Sequence, residues 1–161
     1  MQEKNIEKYQ AYKSMNENLS KAMRSEFYYQ AIFIEYAIIE DRCTSALKYA
    51  GVKHLDSRGN EIKLSKKIEK MRGNPSFTEA FVRKRITLQL LDELMEWKRD
   101  RDRLIHALAT IPYDYEEVQA IAVKGQELVR VLSNKVASVN NYHKKQQPNM
   151  STCENEKEKE V

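Results

Sequence analysis

Apolar side chains recur at helical spacing from Ile6 through Tyr9, Tyr12, Leu19, Met23, Phe27, Ala31, Ile34 and Ile38, and the series extends to Cys43 and Leu47 with small changes of step. That period matches one face of an α-helix and not the alternation of a half-buried strand. The run implies one long helix or two nearly continuous ones, with a break expected at Asn16 to Ser20. Gly51 ends it, as a glycine does just past a helix C-terminus. With only four glycines and three prolines in 161 residues, the chain lacks the turn residues that a twisted sheet needs. The expected fold class is all-α.

The later segments fit the same pattern. Val52 to Leu64 holds Asp56, Ser57, Gly59 and Asn60 and reads as a connecting loop. Ser65 to Met71 fits a short basic helix stopped by Gly73-Asn74-Pro75. Ser76 with Glu79 has the form of a capping box. Apolar positions from Phe77 through Leu91, Leu94, Leu104 and Leu108 then extend to Ile111-Pro112, with a kink expected between Glu93 and Arg99. Asp114 with Glu117 opens a last helix that carries Val118, Ile121, Leu128, Leu132 and Val139 to about His143. The expected architecture is an up-and-down bundle of about four to five helices in one domain, residues 1–145. Residues 146–161 have almost no apolar content and are expected to form a disordered polar tail.

Bulk properties exclude several classes. The opening segment, Met1 to Lys8, has mixed charge and no apolar core, so no signal peptide is expected. The most apolar run, Phe27 to Ile39, is interrupted by Gln30 and Glu35 and is too short to cross a bilayer. It is apolar on most faces, which suits a bundle core or a helix shared with a second subunit. Cys43 and Cys153 lie far apart, without disulfide or zinc spacing, and point to a reducing cytoplasm. His54 and His143 lack acidic or thiol neighbours at ligand spacing, so neither a metal nor a cofactor is expected. The formal net charge is +4, and the middle of the chain leans basic, so a polyanion is a candidate partner.

The one constellation with chemical promise is Arg101-Asp102-Arg103-Leu104-Ile105-His106. Five residues on a helix separate Arg101 from His106 by about 140° and about 7.5 Å. A long arginine can still reach a cleft that the histidine borders. Asp102, four residues before His106, is placed to fix its tautomer. Arg103 and Arg99 can also swing toward the cleft. An imidazole can take the proton from a ribose 2′-OH, and a guanidinium can stabilise charge on the attacked phosphoryl group. Together they suffice for RNA cleavage without a metal. One helix offers a single such pair, whereas two copies across a two-fold axis offer a base and an acid.

Over these six residues, and in the order of its helices from about Leu19 to His143, the chain resembles the HEPN superfamily. That superfamily carries Arg-x4–6-His with a polar residue after the arginine. The resemblance implies a metal-independent endoribonuclease, dimeric with facing motifs, in toxin–antitoxin, abortive-infection or CRISPR-linked defence. It implies Arg101 and His106 as catalytic and Asp102 as supporting. Toxins whose antitoxin is a nucleotidyltransferase often carry a modifiable tyrosine two positions after the histidine. Leu108 stands there, so that mode of regulation is not expected.

Other residues complete the reading. Glu35 is a candidate buried carboxylate that orients Arg101 across the bundle, or else a residue paired with a lysine or reaching solvent. Lys66, Lys67, Lys70 and Lys98 are candidates for holding an RNA backbone, against the alternative of a solvated helical face. Tyr28, Tyr29, Tyr36 and Trp97 suit base stacking or packing alike. The partners expected are RNA, a second copy of the chain and an antitoxin or other protein, with no membrane. The alternative function is a non-catalytic helical module that dimerises or binds protein or RNA.

Overall fold

A computed structural model describes residues 2–108 and 114–146, the side chains of residues 2–5 and 8 excepted. It contains seven helices: α1 (Gln2–Arg24), α2 (Tyr28–Tyr49), α3 (Leu64–Gly73), α4 (Pro75–Thr78), α5 (Ala80–Arg83), α6 (Leu88–Ala107) and α7 (Tyr115–Gln146). Among the described residues the only extended pairing is an isolated bridge between Leu55 and Glu61. The all-α expectation is met. Seven helices exceed the expected four to five, because the run from Ser76 is divided and two of the pieces, α4 and α5, are single turns.

Contacts between side chains give the helix directions. Tyr28 lies against Tyr115, and Asn140 donates to Ser45 at 3.0 Å, so α2 and α7 run parallel. Tyr12 meets Ser133 at 2.7 Å, and the Arg42 guanidinium covers the Tyr12 ring, so α1 runs opposite to both. Trp97 donates to the Ile121 carbonyl at 3.0 Å and Lys124 bonds Glu93 at 2.8 Å, which sets α6 antiparallel to α7. In chain order the four long helices thus alternate in direction. The core between them is built from Ile32, Ile38, Ile39, Leu47, Leu91, Leu94, Leu132 and Val136.

Helix ends follow local chemistry more closely than apolar periodicity. The expected break at Asn16 to Ser20 does not occur, because the Asn16 amide donates back to the Tyr12 carbonyl and α1 continues. The turn falls instead at Ser25 to Phe27, where Glu26 takes a left-handed φ of 59°. Gly51 does end α2, with a φ of 66° and with Val52 donating back to the Leu47 carbonyl. The single long helix expected from Ser76 is replaced by α4, α5 and α6. Asn74 caps α4 by accepting from Ser76, and Thr87 caps α6 by accepting from Leu90. No break occurs between Glu93 and Arg99, where α6 is continuous. Asp114 accepts from the Glu116 amide at the start of α7. The expected stop at Ile111-Pro112 and the polar tail lie outside the described residues.

Helices α2 and α7 approach closely at Gly125. A Cβ at Gly125 would lie 2.0 Å from Glu35 Oε2 and 2.8 Å from the Trp97 indole nitrogen. Glu35 is fully buried there, and neither carboxyl oxygen has a hydrogen-bond partner among the described residues. Burial pushes its carboxyl up to about 9 from the ordinary 4.5. The folded state therefore keeps the proton that the unfolded chain releases above pH 4.5. Its contribution to stability is complete below that pH and declines as the pH rises toward 9, by at most about 1.4 kcal/mol per pH unit.

Two results are expected from urea denaturation. Glu35→Gln, which cannot ionise, flattens the decline and is more stable than the parent at pH 9 by at least about 1 kcal/mol. Gly125→Ala, normally favourable inside a helix, destabilises by about 1–3 kcal/mol through overpacking. Combining Gly125→Ala with Glu35→Ala recovers part of that loss. A stabilising Gly125→Ala would contradict the close approach.

Candidate functional site

Leu90, Leu91, Leu94, Trp97 and Leu104 bury one face of α6 against the bundle. Arg101 falls on the margin of that face, four residues beyond the anchored Trp97. Its guanidinium carbon lies 4.3 Å from the centre of the Tyr36 ring and 5.7 Å from that of Phe33, both on α2. Nη1 donates to Asp102 at 3.0 Å, and Nε is buried without a hydrogen-bond partner among the described residues. A guanidinium laid over aromatic faces keeps its charge and can turn N–H groups edge-on to an anion.

Asp102 joins this group rather than His106. Its carboxylate accepts from Lys98 at 2.5 Å and from Arg101. Burial pushes the Asp102 carboxyl up, but the hydrogen bonds and charges of Lys98 and Arg101 outweigh it and hold it below the usual range. The expected bond from Asp102 to His106 is therefore absent: two nearby cations occupy the carboxylate. His106 is exposed in the last turn of α6, and its imidazole makes no hydrogen bond among the described residues. Within one chain, Arg101 faces α2 while His106 faces solvent, on adjoining surfaces about 140° apart.

The remaining candidates separate cleanly. Arg103 turns to α7, bonding Glu117 at 2.7 Å with Asp100 at 3.5 Å, and so leaves the expected cleft. Arg99 is exposed. Of the alternatives open for Glu35 the structure shows burial, but Glu35 does not orient Arg101. Successive helical residues point about 100° apart, so Tyr36 meets α6 while Glu35 meets Gly125 and Trp97. Trp97 is a core residue whose N–H is used by Ile121, and Tyr28 is buried, so neither presents a ring for stacking on a base. Tyr36 is half-buried beneath Arg101, and Tyr29 is exposed.

The basic helix α3 also differs from expectation. Lys67 is only 1% exposed, with its ammonium 2.8 Å from Glu61, 3.5 Å from Glu40 and 2.7 Å from the Thr44 hydroxyl. It ties α3 to α2 and to the preceding loop and is unavailable to a phosphate. Lys66 is exposed and pairs with Glu69, Lys70 is half-buried, and Arg72 pairs with Asp92. Sequence reasoning named Lys67 but missed its burial, because Glu40 and Thr44 reach it from α2. It also missed Phe33, which an aromatic pair at i and i+3 with Tyr36 could have signalled.

An exposed apolar margin surrounds this end of the bundle. Phe27, Tyr29 and Phe33 on or beside α2, Leu108 after α6 and Tyr115 on α7 all retain large exposed areas. No three His, Cys, Asp or Glu side chains gather as a metal site among the described residues. No helix among them is long and apolar enough to cross a membrane.

Comparison with known proteins found no matching family model, no matching curated protein and no matching solved structure. The site is therefore read from its own geometry and chemistry.

Lys67 provides a direct check on the assignment of α3. Lys67→Ala strips a buried stem and leaves Glu61, Glu40 and Thr44 without their shared donor, with an expected loss of about 2–3 kcal/mol in urea denaturation. An exposed phosphate-binding lysine would change stability by no more than about 0.5 kcal/mol. A change that small at Lys67 would contradict its burial.

Proposed function

We propose that the protein is a homodimeric, metal-independent endoribonuclease of the HEPN type, with Arg101 and His106 as its catalytic residues. The observation that carries the reading is the state of Arg101. It is a half-buried guanidinium held by two aromatic rings and one carboxylate, one and a half turns from an exposed imidazole on the same helix. Arg101 faces α2 and His106 faces outward, so a complete site requires α6 of a second copy. The exposed Phe27, Tyr29, Phe33, Leu108 and Tyr115 supply the apolar surface through which such a copy can associate.

In this reading His106 removes the proton from a ribose 2′-OH, and the resulting oxygen attacks the adjacent phosphorus. Arg101 stabilises the negative charge that gathers on the phosphoryl oxygens. The bond from phosphorus to the 5′ oxygen then breaks, and His106 of the second copy protonates the leaving oxygen. The products are a 2′,3′-cyclic phosphate and a 5′-hydroxyl. A cytoplasmic setting fits a chain whose one described cysteine, Cys43, is a buried thiol. A role in defence, with an antitoxin or other protein as regulator, belongs to the same proposal.

A second reading has its own support. Arg101 is already engaged by Asp102, Tyr36 and Phe33, which is what a purely structural arginine would show. On that reading the apolar margin serves a dimerisation or binding module that does not cleave RNA.

Cleavage of single-stranded RNA in EDTA separates the two. The parent is expected to leave 2′,3′-cyclic phosphate ends. Arg101→Ala and His106→Ala each lower the rate by about 10²–10⁴-fold while helicity by circular dichroism is retained. Variants that cut as fast as the parent would remove both residues from the mechanism.

A further inference from the structure

We propose that a groove between the α5–α6 junction and the C-terminal half of α7 binds the phosphate backbone of RNA, at a distance from Arg101 and His106. It encloses about 560 Å³ and is lined by Lys84, Arg85, Arg130, Asn134, Lys135 and Ser138. Four cations face it and, among the described residues, no carboxylate lines it. Those four charges equal the formal net charge of the whole chain, +4. Elsewhere many cations are neutralised, as in the pairs Lys66–Glu69, Lys67–Glu61, Arg72–Asp92, Lys98–Asp102 and Lys124–Glu93.

The groove has a held wall and an exposed rim. Arg85 is held by Ser138 at 2.7 Å and by the Phe81 carbonyl at 3.1 Å, with its guanidinium 3.5 Å over the Phe81 ring. Phe81 in turn stacks on Tyr142 at 4.3 Å. Lys84 and Arg130 are exposed beside it, and Lys135 is half-buried. Arg130, Asn134 and Ser138 follow one another at four-residue steps on α7, so cations, an amide and a hydroxyl form a strip roughly 12 Å long. That length suits a run of phosphates better than a single small anion. Among the described residues no aromatic ring lines the strip, so it can hold backbone without stacking on bases.

RNA is named as the polyanion because the proposed nuclease acts on it, and to that extent this inference rests on that reading. The groove and His106 lie near opposite ends of α6, roughly 30 Å apart along its axis. The groove is therefore an anchoring site that favours long RNA and takes no part in the chemistry.

The test uses the full chain carrying His106→Ala, with fluorescent single-stranded RNA titrated over a range of salt. Lys84→Ala/Arg130→Ala/Lys135→Ala is expected to bind at least about tenfold more weakly at 0.1 M salt. Its slope of log affinity against log salt should be shallower by about 2, from three lost contacts at about 0.7 each. Lys66→Ala/Lys70→Ala keeps the affinity and slope of the His106→Ala reference. Should the triple variant lose helicity, Arg130→Glu alone is expected to weaken binding. The proposal is overturned if the groove variant keeps the reference affinity and slope, or if only the Lys66/Lys70 variant loses binding. Tighter binding of poly-glutamate than of RNA at the groove overturns the choice of RNA. Cleavage by the chain with His106 intact is assayed separately: its absence would count against the nuclease reading while leaving the binding comparison intact.

Discussion

The close approach of α2 and α7 at Gly125 is the constraint on which the arrangement of the site depends. Glu35 and the Trp97 indole occupy the space that a side chain at that position would need. Because Trp97 also donates to the Ile121 carbonyl, α6 is fixed in rotation as well as in position. Arg101 lies one turn further along the same side of α6, so the anchoring of Trp97 brings it over Tyr36 and Phe33. His106 follows at the far side of the last turn and is left facing solvent. A buried acid, a glycine and an indole thus determine where the two residues of interest point, although none of the three touches a substrate in the proposed mechanism.

Charge is divided between two uses. Lys67 has its ammonium matched by Glu40, Glu61 and Thr44, where it joins α3 to α2. Arg101, Asp102 and Lys98 form a partly exposed cluster in which one carboxylate serves two cations. The shared carboxylate fixes the direction of both cations on the margin of the buried face. Lys84, Arg85, Arg130 and Lys135 gather where no carboxylate lines the groove. The cations of the groove are thus set apart from those at the Arg101 end, which are paired with carboxylates.

The long helices were legible because apolar spacing reports which face is buried, and Gly51 ended α2 as its left-handed φ allows. Their breaks were less legible. Asn16 looked like an interruption yet bonds within its own helix, whereas Thr87 caps a helix inside a run of unbroken apolar spacing. The site was partly legible too. The motif singled out Arg101 and His106 as candidates, and of the alternatives open for Glu35 (burial, a lysine partner or solvent) the structure shows burial. The sequence could not show that Asp102 binds Lys98 and Arg101, since the competition among three neighbours depends on rotamers and on α2. Nor could it show that Lys67 is buried, because Glu40 and Thr44 reach it from another helix. Gly125 carried a readable signal, a glycine inside a helical run, whose meaning needed the opposing Glu35.

The central claim is that two α6 helices must meet to complete one RNA-cleaving site. The most direct measurement is cleavage rate per chain in EDTA as protein concentration is varied through the monomer–dimer transition, with mass followed by sedimentation. The account predicts a rate per chain that climbs in step with the dimer fraction and vanishes in the monomer. Full activity in a monomer, or a dimer that leaves RNA intact at every concentration, would contradict it.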